Sequence, residues 1–591
     1  MIKSCQILKL MFVLTGSLLM MVVEAANEPL VLNEKRIGKY AEWGFSHSED
    51  GKPWFAYYDT KNFLRVRRPD GNEVALGATD RPRQQSGLVM MPADNGISVL
   101  WRDKLPRKHL YLFPKLDPTG VTGAPLVVGG KASEPLTRLK MTQVDGVNYL
   151  LWLGEKGDKK TREKYHLYFR TVEPDGKTLS PVEQVMPGRY PAWIVDDKQI
   201  PVFSWMVLDG KLAMAMRVYD RTRKSFGVVK KIADAPSISP LFEAFKSGDR
   251  WFLLWLGHYG DGSDLLLEGV YSDDKGQHWT RFAFDELRRL DMGQIEIVTD
   301  HKGHILIALD GNRRLIDPED TKSNVYLLRS EDNGTTWKKA QTLRPEDVRL
   351  TKARYPMLAL GEQAGTVMMA WEDWRDIRPN IYVSYSRDFG ATWETALPLG
   401  RPGVWNLGLD PRPRVLFSQG KDDRFSLVAK QFNDDSLRDQ KEYVLYSLSW
   451  DEARKNAASF NLEEIKARAT EKLLRERLST YWQAMIKGRY ETTYAMQDPF
   501  YRHRRTFKAY AANMGRIQYH SYKIKKIARV GNITKVLVEV EAAVPEFTLP
   551  SGKKYSEPKK TRSFVETWIF VNDNWYREFY DGLAEQGFTS Y

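Results

Sequence analysis

Cysteine is almost missing from this chain: there is one in 591 residues, Cys5. Cys5 precedes the apolar run from Leu10 to Val23, so it cannot be a lipid-bearing cysteine at a cleavage point, and no thiol follows it. That excludes disulfides, thiolate metal sites and cysteine nucleophiles, and leaves packing alone to stabilise the fold. Histidine is sparse as well. The nine histidines are scattered without metal-ligand spacing, so no metal is expected, and no phosphate loop or dinucleotide fingerprint appears, so no cofactor is expected either. The stretch from His258 to Asp264 is acidic enough for a cation loop, but its Gly and Asp content is that of an ordinary turn.

Long apolar runs are also rare, and the one that matters is N-terminal. Lys3 and Lys9 lie ahead of or at the start of the run Leu10 to Val23, and Val23-Glu24-Ala25 supplies small residues at a cleavage point. This reads as a secretory signal over residues 1–25, cleaved after Ala25. It predicts a secreted or periplasmic protein with no stable membrane span once the signal is removed. What is abundant is positive charge. There are 89 Lys and Arg against 76 Asp and Glu, a net +13. Residues 461–591 hold 23 Lys and Arg against 15 Asp and Glu, so that segment carries +8. A basic exported surface suits an anionic carbohydrate or a cell-surface ligand, and nucleic acid is not an expected partner. The oligomeric state is not legible.

Three copies of one octet, Ser-x-Asp-x-Gly-x-x-Trp, organise the middle of the chain. They place Ser272, Asp274, Gly276 and Trp279; Ser330, Asp332, Gly334 and Trp337; and Ser386, Asp388, Gly390 and Trp393 in equivalent roles. Short Ser and Asp side chains bond nearby amides, Gly accepts positive φ, and Trp re-enters the next strand. Recurrence at 58 and 56 residues signals a tandem repeat, and a period near 50 built from short strands indicates a β-propeller. The octets resemble the Asp-box (BNR) repeats of the sialidase superfamily. That resemblance implies turns that brace the blades on the side away from the ligand.

The repeat extends beyond the octets. Strands ending in a bulky residue recur at Tyr58, Trp101, Trp152, Trp205, Trp255, Leu309, Trp371 and Phe417. With about four strands per unit, an all-β propeller is expected over residues 36–450. Seven or eight blades are favoured and six, the sialidase number, remain possible. A linker is expected at 451–460. Residues 461–591 then read as a small α+β domain: an amphipathic helix at 461–487, a helical stretch interrupted at Asp498-Pro499, and strands at 522–530, 535–543, 564–571 and 575–580. Helices followed by a curved sheet, and the ending Glu566 to Arg577, resemble the NTF2-like (SnoaL-like) superfamily.

Strand direction tells where a ligand would sit. The start of a blade's first strand and the end of its second share one face, while the octets lie on the other. Arg138, Arg189 and Arg354 stand at first-strand starts, and their forked guanidinium groups suit a carboxylate. The sialidase resemblance implies such an arginine triad, together with a Tyr nucleophile paired with a Glu, and an Asp acid, none of which a motif assigns here. Alternation along the strand points Tyr190 and Tyr355 away from their arginine neighbours. At second-strand ends Asp103, Glu372, Asp373 and Arg375 are further candidates for ligand binding, and paired carboxylates also suit acid and nucleophile roles. For the arginines the competing reading is a residue that marks a blade start and bonds adjacent backbone or carboxylates; for the second-strand-end residues it is a structural ion pair between blades. Two functions stay open: recognition of an anionic glycan or surface ligand, with the basic C-terminal domain as a docking module, or a retaining exo-α-sialidase-type hydrolase.

Overall fold

A computed structural model describes residues 30–33, most of 43–407 and most of 423–587. The expected signal segment, residue 36, Asp103 and Phe417 lie outside the described residues. Among the described residues up to Leu448, eight antiparallel sheets follow one another along the chain, in a propeller-type fold. Their second strands are Pro53–Tyr58, Gly96–Arg102, Val147–Glu155, Gln199–Leu208, Arg250–Tyr259, Ile305–Asn312, Val367–Asp373 and Phe425–Asn433. Tyr58, Trp101, Trp152, Trp205, Trp255, Leu309 and Trp371 fall one on each of the first seven. These strands read as continuous apolar runs because side chains on both faces are buried, as in Gly96–Arg102, Val367–Asp373 and most of Arg250–Tyr259. Trp152 and Trp255 are wholly buried.

In the eighth sheet the strand order is Val404–Leu407, Phe425–Asn433, Glu442–Leu448 and then Leu30–Asn33, with Leu30 opposite Leu445 and Asn33 opposite Glu442. The N-terminal strand thus completes the last sheet and hides an edge that would otherwise recruit another chain.

The octets form the turns their residue types predict. Ser330 Oγ donates to Asp332 Oδ1 at 2.9 Å and accepts from Gly334 N–H at 2.8 Å, while Thr336 N–H donates to Asp332 at 2.8 Å. The same bonds recur at Ser272 and Ser386. Each turn needs two residues at positive φ, the glycine and the residue before it, Lys275, Asn333 or Phe389. Each Trp is a wedge between sheets: Trp337 lies 5.0 Å from Phe284 and 6.3 Å from Phe282, both of the preceding sheet's segment.

The expected linker is corrected. Trp450–Ala458 is an α-helix, started by a capping box in which Ser449 and Glu452 satisfy each other's backbone N–H groups. Trp450 and Ala453 are buried in the core of the seventh and eighth sheets, and Trp450 stacks on Tyr385 at 5.7 Å. Among the described residues the rest of the C-terminal part holds the helix Glu471–Ile486, three short helices, a four-stranded antiparallel sheet of Gln518–Val530, Ile533–Thr548, Lys554–Val571 and Asn574–Arg577, and a two-stranded sheet of Tyr580–Asp581 and Gln586–Gly587. Leu474, Leu478 and Trp482 of the long helix pack on Val536, Val538 and Trp568. Pro499 opens a helix, where its missing N–H costs nothing.

Changing Ser330 to Ala removes a buried hydroxyl that two groups of the turn depend on. A loss of about 1–3 kcal/mol is expected in urea denaturation, and an unchanged midpoint would mean that the octet hydrogen bonds do not hold the sheet.

Candidate functional site

In five sheets the first strand breaks register with the second at its start, between Thr137 and Lys140, Arg189 and Ala192, Ile238 and Phe242, Met292 and Ile295, and Arg354 and Met357. Three of these bulges hold a bulky residue at positive φ: Arg138 at 58°, Tyr190 at 57° and Tyr355 at 57°. L side chains pay for that conformation, and bulges re-aim side chains at sheet edges. The expectation of three equivalent arginines is therefore corrected. Thr137, Arg189 and Arg354 occupy the same register position, while Arg138 stands one place on, where the other two sheets have Tyr190 and Tyr355. Simple alternation fails at a bulge, and the Arg354 guanidinium lies 4.5 Å from the centre of the Tyr355 ring.

The arginines divide into two places. Arg138 lies 4.6 Å from the Tyr190 ring and so bridges the third and fourth sheets, next to Arg189, which is exposed and lies 4.8 Å from the Tyr165 ring. Arg354 is three sheets further on, in a separate cluster at the end of the seventh sheet's second strand.

That cluster is built around two carboxylates without exposed surface, Glu372 and Asp373. Glu372 accepts from Arg354 Nε at 2.6 Å and Trp374 Nε1 at 2.7 Å. Asp373 accepts from Trp371 Nε1 at 2.9 Å, Arg344 Nε at 3.0 Å, and both the backbone N–H and Nη2 of Arg375 at 2.9 and 2.7 Å. Burial pushes the Asp373 carboxyl up, and the Arg375 and Arg344 guanidinium groups outweigh it, holding Asp373 below the usual carboxylate range. Neither carboxylate is open to a ligand. The expectation that Glu372 and Asp373 bind sugar or serve as an acid pair is corrected, because buried charges at a strand end must be paired within the protein. Arg375, half-buried, is likewise occupied, lying 4.0 Å from the Tyr382 ring.

Two lysines border the cluster. Lys352 Nζ sits 4.2 Å from the centre of the Trp374 ring. Burial, and then the neighbouring Arg354, lower its ammonium to about 8. Lys322, from the connection between second and third strands of the sixth sheet, is also lowered by burial, against the pull of Glu578.

The C-terminal part sits on this face. Arg378 Nη2 donates to Asp498 Oδ1 at 2.7 Å, with side-chain exposures of 0 % and 1 %, and Asn532 Nδ2 donates to the Arg375 carbonyl at 3.3 Å. Glu578 and Lys535 are near enough to Lys322 to influence its charge. The opposite face offers a different concavity, about 410 Å³, at the far ends of the first strands. It is lined by Trp193, Phe245, Val298 and Leu360, and its Lys246 is paired with Asp196 at 3.3 Å.

A feature without a sequence signal lies in the fifth sheet. Tyr259, at the end of the second strand, donates its hydroxyl to Glu268, which also accepts from Trp255 Nε1 at 2.9 Å. Glu268 is buried, and burial followed by Glu268 itself pushes the tyrosine hydroxyl up to about 12. The residues are nine apart and meet only across the hairpin. Among the described residues no cluster of three or more metal-ligating side chains occurs, and no helix is long and apolar enough to cross a membrane.

No family model matches the chain, and no curated protein does. Solved structures do show likeness. The leech intramolecular trans-sialidase is 12% identical, with 72% of this chain and 94% of that chain covered, at a TM-score of 0.31. The NanB sialidase of Streptococcus pneumoniae is 8% identical, covering 72% of this chain and 95% of that chain at 0.32. A polysaccharide lyase is 9% identical, covering 64% and 93% at 0.41. At such scores the fold rests on the sheets described above, and the chemistry on the residues themselves.

Because Asp373 is depressed when folded, its contribution to stability is complete above the ordinary carboxylate pKa and is lost as pH falls through the lower folded value. The parent should therefore lose melting temperature below about pH 4. The D373N variant should melt lower at pH 7, since Arg344 and Arg375 lose their buried partner, and should depend less on pH between 4 and 3. Equal pH dependence in both proteins would remove Asp373 from this role.

Proposed function

We propose that the eight sheets are the blades of one closed ring of the sialidase-like, Asp-box kind, and that the face opposite the octets recognises an anionic group of a glycan. The protein is exported, and its C-terminal part, an NTF2-like α+β domain, is the basic docking module of the same molecule. The observation that carries this reading is Arg354: its side chain keeps 28% exposure beside a carboxylate it already pairs, with Lys352 next to it on the face that the C-terminal part adjoins. Arg189, exposed at the equivalent position of the fourth sheet, extends the positive surface. Guanidinium groups with a free edge suit carboxylates and sulfates. Recognition is favoured over two-carboxylate hydrolysis because Glu372 and Asp373 are sealed.

One observation supports a second reading, a sialidase-type retaining hydrolase: the Tyr259–Glu268 pair. A hydroxyl held by a buried carboxylate is an activated-nucleophile arrangement. The two readings separate in one set of measurements. Titration of the parent with sialyllactose and with uronate oligosaccharides reports binding, and release of sialic acid reports turnover. Turnover that Y259F abolishes while binding persists supports the hydrolase, and binding without turnover supports recognition.

For the binding itself, Arg354 alone is an unsuitable target, since its loss strands Glu372. The double change R354Q with E372Q removes both charges, and should retain the melting temperature within a few degrees while weakening an anionic oligosaccharide by about 1.5–3 kcal/mol. Unchanged affinity, or no anionic glycan bound by the parent at all, would overturn the reading.

A further inference from the structure

Lys352 is placed unlike the other cations of its cluster. Arg354 has Glu372, and Arg344 and Arg375 share Asp373. Lys352 Nζ has no carboxylate within ion-pair distance among the described residues, and rests instead on the Trp374 indole. It is half-buried. The residue immediately precedes the first strand of the seventh sheet, so its amine lies on the face opposite the octets, between the sixth-sheet connection that carries Lys322 and the strand end that carries Arg354. The groups that act on it are Arg354 and Lys322, both positive, and Glu372, whose charge Arg354 and Trp374 already engage. Beyond Lys322 stand Lys535 and Glu578 of the C-terminal domain, and beyond Arg354 stands Asp310, buried and bonded to the backbone N–H groups of Gln294 and Tyr355.

A half-buried ammonium set among cations without an anion of its own is an incomplete arrangement. Removing it from water is unfavourable, and the neighbouring positive charges add to the cost. A bound anion reverses both terms, because it supplies the missing counter-charge where water is scarce and attraction is strong. We infer that Lys352, with Arg354 and Lys322, is a subsite for one carboxylate or sulfate of a glycan. This rests on the glycan reading above and adds to it the contact group and a pH dependence.

The sign follows from the lowered amine. Near pH 7 Lys352 is mostly charged, and near pH 9 it is mostly neutral, so an anion that requires the charged form binds about tenfold more weakly at pH 9 than at pH 7. Binding at pH 8 takes up a fraction of a proton.

The test is isothermal titration of the full chain with an oligogalacturonate, a sulfated hexasaccharide and a neutral hexasaccharide, at pH 7 and 9, with two pH 8 buffers of different ionisation enthalpy. Three proteins are compared: the parent, K352R and K352M. Arginine keeps the charge at every pH, so K352R should bind at pH 7 as the parent does and lose the tenfold decline and the proton uptake. K352M keeps the apolar stem over Trp374, and should bind weakly at both pH values with a melting temperature equal to or above the parent's. The uronate and sulfate arms identify which anion is held. Anion binding with no proton uptake, or a parent-like pH profile in K352R, overturns the role of Lys352 and leaves the glycan reading standing. Absence of binding by either anionic probe overturns both.

Discussion

Two adjacent carboxylates with no access to water, Glu372 and Asp373, set the arrangement of the candidate site. Their charges have to be met locally, and what meets them determines what else is free. Asp373 takes Arg344, Arg375 and the Trp371 indole, which fixes the connection after the strand. Glu372 takes the Trp374 indole and one edge of Arg354. Trp374, held in that way, becomes the surface under Lys352. The same connection then carries Arg378 to its buried pair with Asp498, which ties the C-terminal part of the chain to this strand end.

The octets and the bulky residues that mark the second strands of the first seven sheets were readable because each is a local solution to a local problem, although Trp152, Trp205 and Trp255 lie inside their strands rather than at the ends. A tight turn needs Ser, Asp and Gly at fixed offsets, and a strand covered on both faces needs a bulky apolar residue, so both recur in the linear sequence. The helix at Trp450–Ala458 has a local signature too, the capping-box spacing of Ser449 and Glu452, which the expectation of a linker did not use. The first-strand bulges left no comparable trace. Arg-Tyr-Pro twice and Thr-Arg-Leu once give no indication that the middle residue takes positive φ, and Arg138 aligns with tyrosines only once the pairing with the second strand is known.

Long-range pairs account for the rest of what sequence reading missed. Tyr259 and Glu268 meet across a hairpin, and Arg378 and Asp498 meet across 120 residues. Neither pair leaves a spacing signature, because what brings them together is the sheet in one case and the packing of the C-terminal part on the seventh sheet in the other. That contact also changes the meaning of the basic C-terminal segment. An isolated +8 segment suggests a tethered module, whereas the buried Arg378–Asp498 pair joins it to the seventh sheet.

The central claim is that ligands meet this molecule on the face opposite the octets, at the seventh sheet and the adjoining C-terminal domain. Hydrogen exchange of the intact protein with and without an anionic oligosaccharide tests it directly. The account predicts slower exchange on ligand addition in residues 351–355, 371–378 and 574–578, with residues 272–279, 330–337 and 386–393 unchanged. Protection confined to those three octets, with 351–378 unaffected, would contradict it.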